Sequence, residues 1–465
     1  MVLHTLSSAR SFLAPLFRQW DWGLYGLIFL FMALPQFYRS YSVYLIGNAI
    51  PDSSALSIVA QWQFVDLFLE IIQETFVLAL FFFIGKGLQS DAGPDSRIRT
   101  AFTMILAISS VLAVFLFTFS SQFVSVIGTP EPLQQTTAAF LKIKTAAIPV
   151  FLLSAASIVI VETVNRKRFI LTLAIMQVVY RFIFDSVFYG GYSFSLDIGV
   201  LGVAWADMVS SLALLITAIL LLRPYISSKV KSLPSLFSFH DWKTYLKVGS
   251  WSGLDSLIRN VFYILMILRL LNLLGEDYIG GYYLSMHIFW SFLLVPILAL
   301  AECSKVLIAN HSADLTKVRK LWYSSMAIGG SVIVLWLILL PLWRPFAGLL
   351  NSNPEIVNYS VHAMMLLILP YILFALNMVT DAIFYGIGKT QYQAYQSAIT
   401  NGTVYVAAFI AYLAGLWNST FTSILILFGL GILVDSILTV FFALRVLGFN
   451  QTGAQLVSSR APVTE

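Results

Sequence analysis

Twelve long apolar runs leave this chain only one kind of solvent to fold in. They lie near residues 24–49, 55–85, 100–126, 134–163, 168–189, 199–223, 244–274, 279–310, 319–345, 355–387, 391–415 and 421–446. A helix crosses a bilayer with about 20 apolar residues. Runs this long and continuous are expected to be helices rather than barrel strands, because a helix satisfies all of its backbone amides within the segment. The expected fold is an all-α integral membrane protein with 12 transmembrane helices. With 59% hydrophobic and 11% charged residues, a soluble globular or a disordered chain is excluded. No basic tract interleaved with exposed aromatics supports nucleic-acid binding, so the bilayer is the expected partner. The single cysteine, Cys303, lies inside an apolar run. It excludes an intramolecular disulfide framework and a Cys-rich metal site, and a buried core position is expected for it.

The loops sort by charge. Those after the even-numbered runs carry Lys86, Arg97, Arg99, Arg166, Lys167, Arg168, Arg223, Lys229, Lys231, Lys243, Lys247, Lys317, Arg319, Lys320 and Lys389. Those after the odd runs carry Asp52, Glu131, Asp197, Glu276, Asp277 and Glu355, with Arg344 the one clear basic residue. The positive-inside rule then puts both termini in the cytoplasm of a multi-pass plasma- or inner-membrane protein. The longest polar connection, Arg223 to Lys247, divides the runs into six and six. The expected organisation is a cytoplasmic lead (1–23), an N-lobe (24–223), a linker (224–243), a C-lobe (244–446) and a tail (447–465). A shift of 224 residues lays Phe68-Leu69 on Phe292-Leu293, and one of 221 lays Pro149 on Pro370. Two pseudo-symmetric lobes around a central cavity are a common transporter plan.

Three stretches, in order, resemble the multidrug and toxic compound extrusion (MATE) family. They are YLKVGSWSG with YIGGYYLSMHIFWSF and LIANHSA (245–313), FDSVFYGGYSFSLDIGVLGVAWAD (184–207) and DAIFYGIGKTQYQ (381–393). The resemblance implies a transporter and places Asp185 at a fifth-helix position tied to cation coupling. Arg181 stands where an asparagine is often found, and Ser42 or its neighbours where a first-helix aspartate is expected. Arg259 stands where many members have a glutamate, and Asp381 lies about two turns from the tenth-helix acid.

Charges within the runs are the candidate machinery, because each costs several kcal/mol in hydrocarbon unless paired or hydrated. Asp66, Glu70 and Glu74 recur at i, i+4 and i+8, one helical face. Three carboxylates so close repel, and at least one is expected to hold a proton near neutral pH. A structural network with Arg39, Lys142, Lys144 and Arg181 is the alternative. Arg181 and Asp185, like Asp255 and Arg259, have the i, i+4 spacing of an intrahelical pair, and Asp207 can join the first. Arg259 is also placed to meet an anionic substrate group. Glu302 and Lys305 are expected to pair, and His287 and His362 to be hydrogen-bonded core histidines. Asp435 is a further single acid. Tyr38, Tyr41 and Tyr283 are candidates for stacking on substrate, with Phe37, Tyr44, Tyr282 and Trp290 beside them. Pro35, Pro149, Pro296 and Pro370 should bend their helices.

Cation coupling is therefore assigned to Asp185, Asp66, Glu70, Glu74 and Asp207. Substrate binding is assigned to Arg39, Arg181, Asp255, Arg259, Tyr38, Tyr41, Tyr283 and Asp381. The expected function is a secondary active antiporter, a monomer that exports amphipathic or cationic compounds against H+ or Na+ and needs no other cofactor. Mid-membrane Arg39, Arg181 and Arg259 motivate the alternative of a lipid-linked or anionic substrate. No HExxH, GxSxG or complete GxxxxGK[ST] supports an enzyme or an ATP site; in GIGKT, position 383 is Ile383, not glycine. Asn358-Tyr359-Ser360 and Asn418-Ser419-Thr420 read as outer-side glycosylation sequons.

Overall fold

Backbone amides in hydrocarbon must bond within their own segment, and every regular element among the described residues is a helix. The computed structural model describes residues 20–77, 79–80, 83–84, 95–163, 167–222, 238–239, 241–309, 311, 314–387, 389 and 391–448. The N-terminal lead, the C-terminal tail and most of the 224–243 linker lie outside them.

Each of the twelve runs corresponds to a helical stretch. They are α1 (Trp22–Asn48), α2 (Ala55–Val77), α3 (Asp95–Thr118), α4 (Glu131–Ala146 and Ile148–Val161), α5 (Lys167–Tyr189), α6 (Val200–Leu222), α7 (242–274), α8 (Glu276–Ile308), α9 (Leu315–Leu350), α10 (Pro354–Gly386), α11 (391–413) and α12 (Phe421–Val446). Among the described residues nine helices are long and apolar enough to cross a membrane, or ten when the two parts of α4 count as one span. The all-helical expectation therefore holds, while the expected twelve spans are matched by nine or ten on length and composition. The helices α1 and α11 fall short because Gln36, Arg39 and Ser42 dilute the first and Gln393, Gln396, Thr400 and Asn401 the second. Those residues return below as neighbours of the cavity.

Of the four prolines, Pro149 sits at a real break: the two parts of α4 meet at 45° beside it. Pro35 and Pro370 lie within unbroken helices. Distortion comes instead from four π turns, at Gln73–Val77 in α2, Ile264–Leu268 in α7, Phe289–Leu293 in α8 and Asn401–Tyr405 in α11. Such turns free backbone groups and gather at functional sites.

Helix neighbours repeat with an offset of six. The pairs α1·α5, α3·α4, α4·α6 and α5·α6 of the first half recur as α7·α11, α9·α10, α10·α12 and α11·α12 of the second. The halves meet along two seams, α1 against α8 and α2 against α7, which the same offset interchanges. This is the physical form of the weak internal repeat. Of the two sequons, Asn358 lies inside α10 with its side-chain carbonyl accepting from Arg344 at 2.9 Å, and Ser360 is buried, so that triplet is helix rather than loop.

The α2·α7 seam is close enough to require glycine. A Cβ on Gly249 would overlap the Thr75 carbonyl, and one on Gly253 the Thr75 hydroxyl, while Tyr245 donates from its hydroxyl to the Phe76 carbonyl. Gly249→Leu is expected to destabilise the protein by at least ~1–3 kcal/mol through overpacking. Gly330→Leu, whose Cβ meets nothing within 4 Å, should leave the melting temperature near wild type. Thermal unfolding of the purified variants reads both.

Candidate functional site

At the end bearing the odd-numbered loops the halves are joined by buried polar bonds. Gln61 Nε2 donates to Asn272 Oδ1 at 2.7 Å, and Asn272 Nδ2 donates back to Gln61 Oε1 at 2.6 Å. Thr129 donates to Gln61 Oε1 at 3.2 Å, Asn272 reaches the Ile127 carbonyl at 3.1 Å, and Ser57 donates to the Glu276 carbonyl at 2.8 Å. Asn48 and Ser352 tie the end of α1 to the end of α9 through the Leu349 and Gly47 carbonyls. Each bond is worth ~1 kcal/mol, and breaking one partner only leaves a buried group unsatisfied. This end is closed.

A cavity begins below that closure and runs toward Tyr385 and Gln393, at the opposite ends of α10 and α11. It has two chambers that share Gln63, Asp66, Met286 and Trp290. The larger, of about 690 Å³, is walled by α2 and the second half. It presents the carboxylates of Asp66, Glu70, Asp381 and Asp435 against one cation, Arg259, among rings of Tyr263, Trp290, Tyr371, Phe374, Tyr405 and Phe428. The smaller, of about 350 Å³, lies between the first half and α8. It presents Arg39, Lys144 and Arg181 against Asp66 and Asp207, with Tyr38, Trp62, Tyr283 and His287. One chamber is acidic and aromatic, the other basic.

The ion pairs differ from those expected from helical spacing. Arg259 donates to Glu70 at 2.9 Å and to Glu74 at 3.2 Å, across the seam from α7 to α2. The Asp255 side chain, the expected i, i+4 partner of Arg259, lies outside the described residues. The carboxylate stripe is thus split: Glu70 and Glu74 share one arginine of the other half, and Asp66 faces both chambers. Arg181 pairs with Asp207 rather than Asp185, and Lys144 pairs with the same carboxylate. Asp207 wins because it faces α4 and α5 together, whereas an i, i+4 partner meets only its own helix.

Asp185 lies behind the basic chamber, 1% exposed. Arg181, Tyr189, Ser42 and Lys144 are its polar neighbours, yet neither carboxyl oxygen has a well-formed hydrogen bond. Ser42 and Tyr189 lie 2.6 Å apart beside it. Tyr41 does not line the cavity. It stacks on Phe182 at 4.5 Å and its hydroxyl meets Ser186 and Tyr192, which fixes α1 against α5. His287 is a buried seam histidine bridging Ser40 and Ser291, and His362 meets Thr422. Glu302 and Lys305 pair at 2.6 Å, and Cys303 is fully buried.

Sequence reasoning missed Lys144 stacked over Trp62 at 4.3 Å, the Gln61–Asn272 amide pair, and the polar wall of α11. Gln393, Gln396, Thr400 and Asn401 recur at three- and four-residue spacing in an otherwise apolar run, and that periodicity was the available signal.

Closed seams at one end, a charged cavity at mid-depth and neighbours repeating with an offset of six helices are features of the two-lobed plan common among multi-pass transporters. The MatE family model matches residues 252–410. No curated protein matches the chain. Among solved structures, an inward-facing multidrug resistance MATE family transporter of the MOP superfamily matches with a TM-score of 0.75 at 15% identity, covering 91% of this chain and 96% of that one. An outward-facing MATE family transporter matches with a TM-score of 0.61 at 15% identity, over 92% and 95%. A MOP superfamily transporter from Pyrococcus furiosus, whose binding pocket of reverse polarity suggests a different function for it, matches with a TM-score of 0.66 at 14% identity, over 92% and 95%. The chain thus carries the MATE sequence pattern in its second half and the MATE transporter fold throughout. Members of that family are transporters, not enzymes.

The two kinds of ion pair differ in strength. The side chains of Lys144, Arg181 and Asp207 are only 13–20% exposed. Removing their shared carboxylate leaves two nearly buried cations, so Asp207→Asn is expected to cost ~3–5 kcal/mol. Arg259 and Glu70 are 44% and 41% exposed to the cavity. Arg259→Gln should therefore cost about 1 kcal/mol or less. Equal losses in thermal unfolding would contradict this ranking.

Proposed function

We propose that the protein is a secondary active antiporter that exports amphipathic, cationic organic compounds in exchange for protons or sodium by alternating access. The observation that carries this reading is the acidic, aromatic chamber: among the described residues, four carboxylates against one arginine, surrounded by aromatic rings. A cation held over aromatic faces and near carboxylates gains from both. At about 690 Å³ the chamber also falls within the usual range for drug-sized ligands. Substrate arriving at Glu70 competes with Arg259 for the same carboxylate. That bond is weak in a wet chamber, so its release gives binding at one half a route to the seam with the other. Protons taken by Asp66 or Glu70 lower the negative charge facing the substrate and favour its departure, with Glu74 beside Arg259 and Asp185 behind the basic chamber as the further coupling acids. Conformational exchange then needs only a difference in affinity between the two exposures.

The basic loops orient the cavity mouth toward the cytoplasm, with both termini on that side of a plasma or inner membrane. In that orientation the closed end faces outward and the chamber is set to load from inside. The higher TM-score to the inward-facing relative is consistent with this. A monomer suffices, since both lobes and the cavity come from one chain.

A second reading takes the basic chamber as the binding site of an anionic or lipid-linked substrate. Arg39 makes no ion pair among the described residues, and the fold is shared with the Pyrococcus furiosus transporter of reverse pocket polarity.

Proteoliposomes loaded with a cationic aromatic dye, under a pH gradient and then a sodium gradient, test the first reading. Glu70→Gln and Asp185→Asn are each expected to slow transport at least ~10-fold with expression intact, the scale of a lost ~1.4 kcal/mol interaction. Full transport by both variants contradicts the coupling scheme. Movement of an anionic dye alone favours the second reading.

A further inference from the structure

In the smaller chamber two opposite charges face the same space without bonding each other. Lys144 and Arg181 are both engaged by Asp207. That leaves Arg39 of α1 and Asp66 of α2, which line this chamber together and are charge neighbours. Neither makes an ion pair among the described residues, and Asp66 has Trp62, on its own helix, as its hydrogen-bonding neighbour. Gln63 lies on the same helix face as Asp66 and, like it, lines both chambers. Its Oε1 is buried with no hydrogen-bond partner. Such an atom lacks an N–H or O–H donor. The junction of the chambers therefore offers a guanidinium, a carboxylate and an amide oxygen to whatever enters it.

We propose that this junction binds the head group of an amino-acid-like zwitterion, its carboxylate on Arg39 and its ammonium at Asp66 and the Gln63 oxygen, with an aromatic body in the acidic chamber. A guanidinium matches a carboxylate with two parallel N–H donors. An ammonium has three donors, enough for the Asp66 carboxylate and the orphaned amide oxygen together. Trp290 lines both chambers, and with Tyr371 and Phe374 of the larger one it gives the body flat faces to lie against. The same residues select against simpler ligands. A bare cation at Asp66 is repelled by Arg39, and a bare anion at Arg39 by Asp66. Only a ligand that brings both charges on adjoining atoms leaves neither residue opposed. The site narrows the cargo from any organic cation to one with a carboxylate beside its ammonium. Its part in transport rests on the exporter reading; the binding itself does not.

Fluorescence titration of the full-length protein in lipid nanodiscs tests the site without transport. The probes are Nε-dansyl-lysine, a zwitterion with an aromatic tag, its methyl ester, a cation, and its Nα-acetyl derivative, an anion. Wild type is expected to bind the zwitterion at least ~10-fold more tightly than either derivative, the scale of one lost charge-assisted hydrogen bond. Arg39→Gln should erase the preference over the ester and keep that over the acetyl derivative; Asp66→Asn should do the reverse. If either does not fold, Arg39→Lys and Gln63→Leu carry the test, each weakening the corresponding preference alone. Wild type that binds the ester as tightly as the zwitterion, or binds none of the three, overturns the proposal. So does an equal loss for all three probes in Arg39→Gln. Ranked binding in a protein that moves no dye under either gradient removes the exporter reading and leaves the site. Transport of simple cationic dyes with no such ranking removes the site and leaves the exporter.

Discussion

A charge inside a bilayer has to be wet or paired, and the architecture follows from how this chain meets that demand. Around Asp207 it pairs: Lys144 and Arg181 converge on one carboxylate and lock α4, α5 and α6 together. Around Asp66, Glu70, Asp381 and Asp435 it hydrates, by enclosing a cavity that these acids line. The first solution makes a rigid half. The second makes a chamber whose charge a substrate or a cation can alter.

In the proposed exporter the seams would translate that chemistry into motion. Both pair a helix of one half with a helix of the other, and three of the four helices involved carry π turns. At the closed end the bonds are buried and reciprocal, as between Gln61 and Asn272. At mid-depth the α2·α7 seam carries the exposed Arg259–Glu70/Glu74 contact, worth little in water, with Asn260 donating to Glu70 at 3.2 Å beside it. In the proposed exporter a ligand that competes for Glu70 acts on an exposed link between halves, and the buried ones respond only if the whole seam changes partner. Such all-or-none behaviour is what alternating exposure needs.

Much of this was legible in the sequence because apolar length and loop charge are local properties. The all-helical fold, the recurrence of the first half in the second and the carboxylates of α2 could be read without any knowledge of packing. Partner choice could not. Arg259 and Glu70 are 189 positions apart, so their contact is set by the α2·α7 seam and not by spacing. The i, i+4 pairing of Arg181 with Asp185 was sound helical geometry, but Asp207 on a neighbouring helix faces two cations at once. Tyr41 looked like a ligand-stacking residue because an aromatic in a polar-tinged helix gives no sign of which way it points; it packs on Phe182. The α11 wall was hidden because amides and hydroxyls carry no charge to draw attention, although they were dense enough to keep that helix from qualifying as an apolar span.

The central claim is that two rigid halves separate at the end now closed. It is tested most directly by the distance between spin labels at Ser53→Cys and Glu355→Cys, one on each half at that end, in a Cys303→Ser background measured by pulsed electron resonance. One short distance is expected at rest, with a second, longer population once a cationic substrate and an ion gradient are present. A single distance that no substrate or gradient alters would contradict the account.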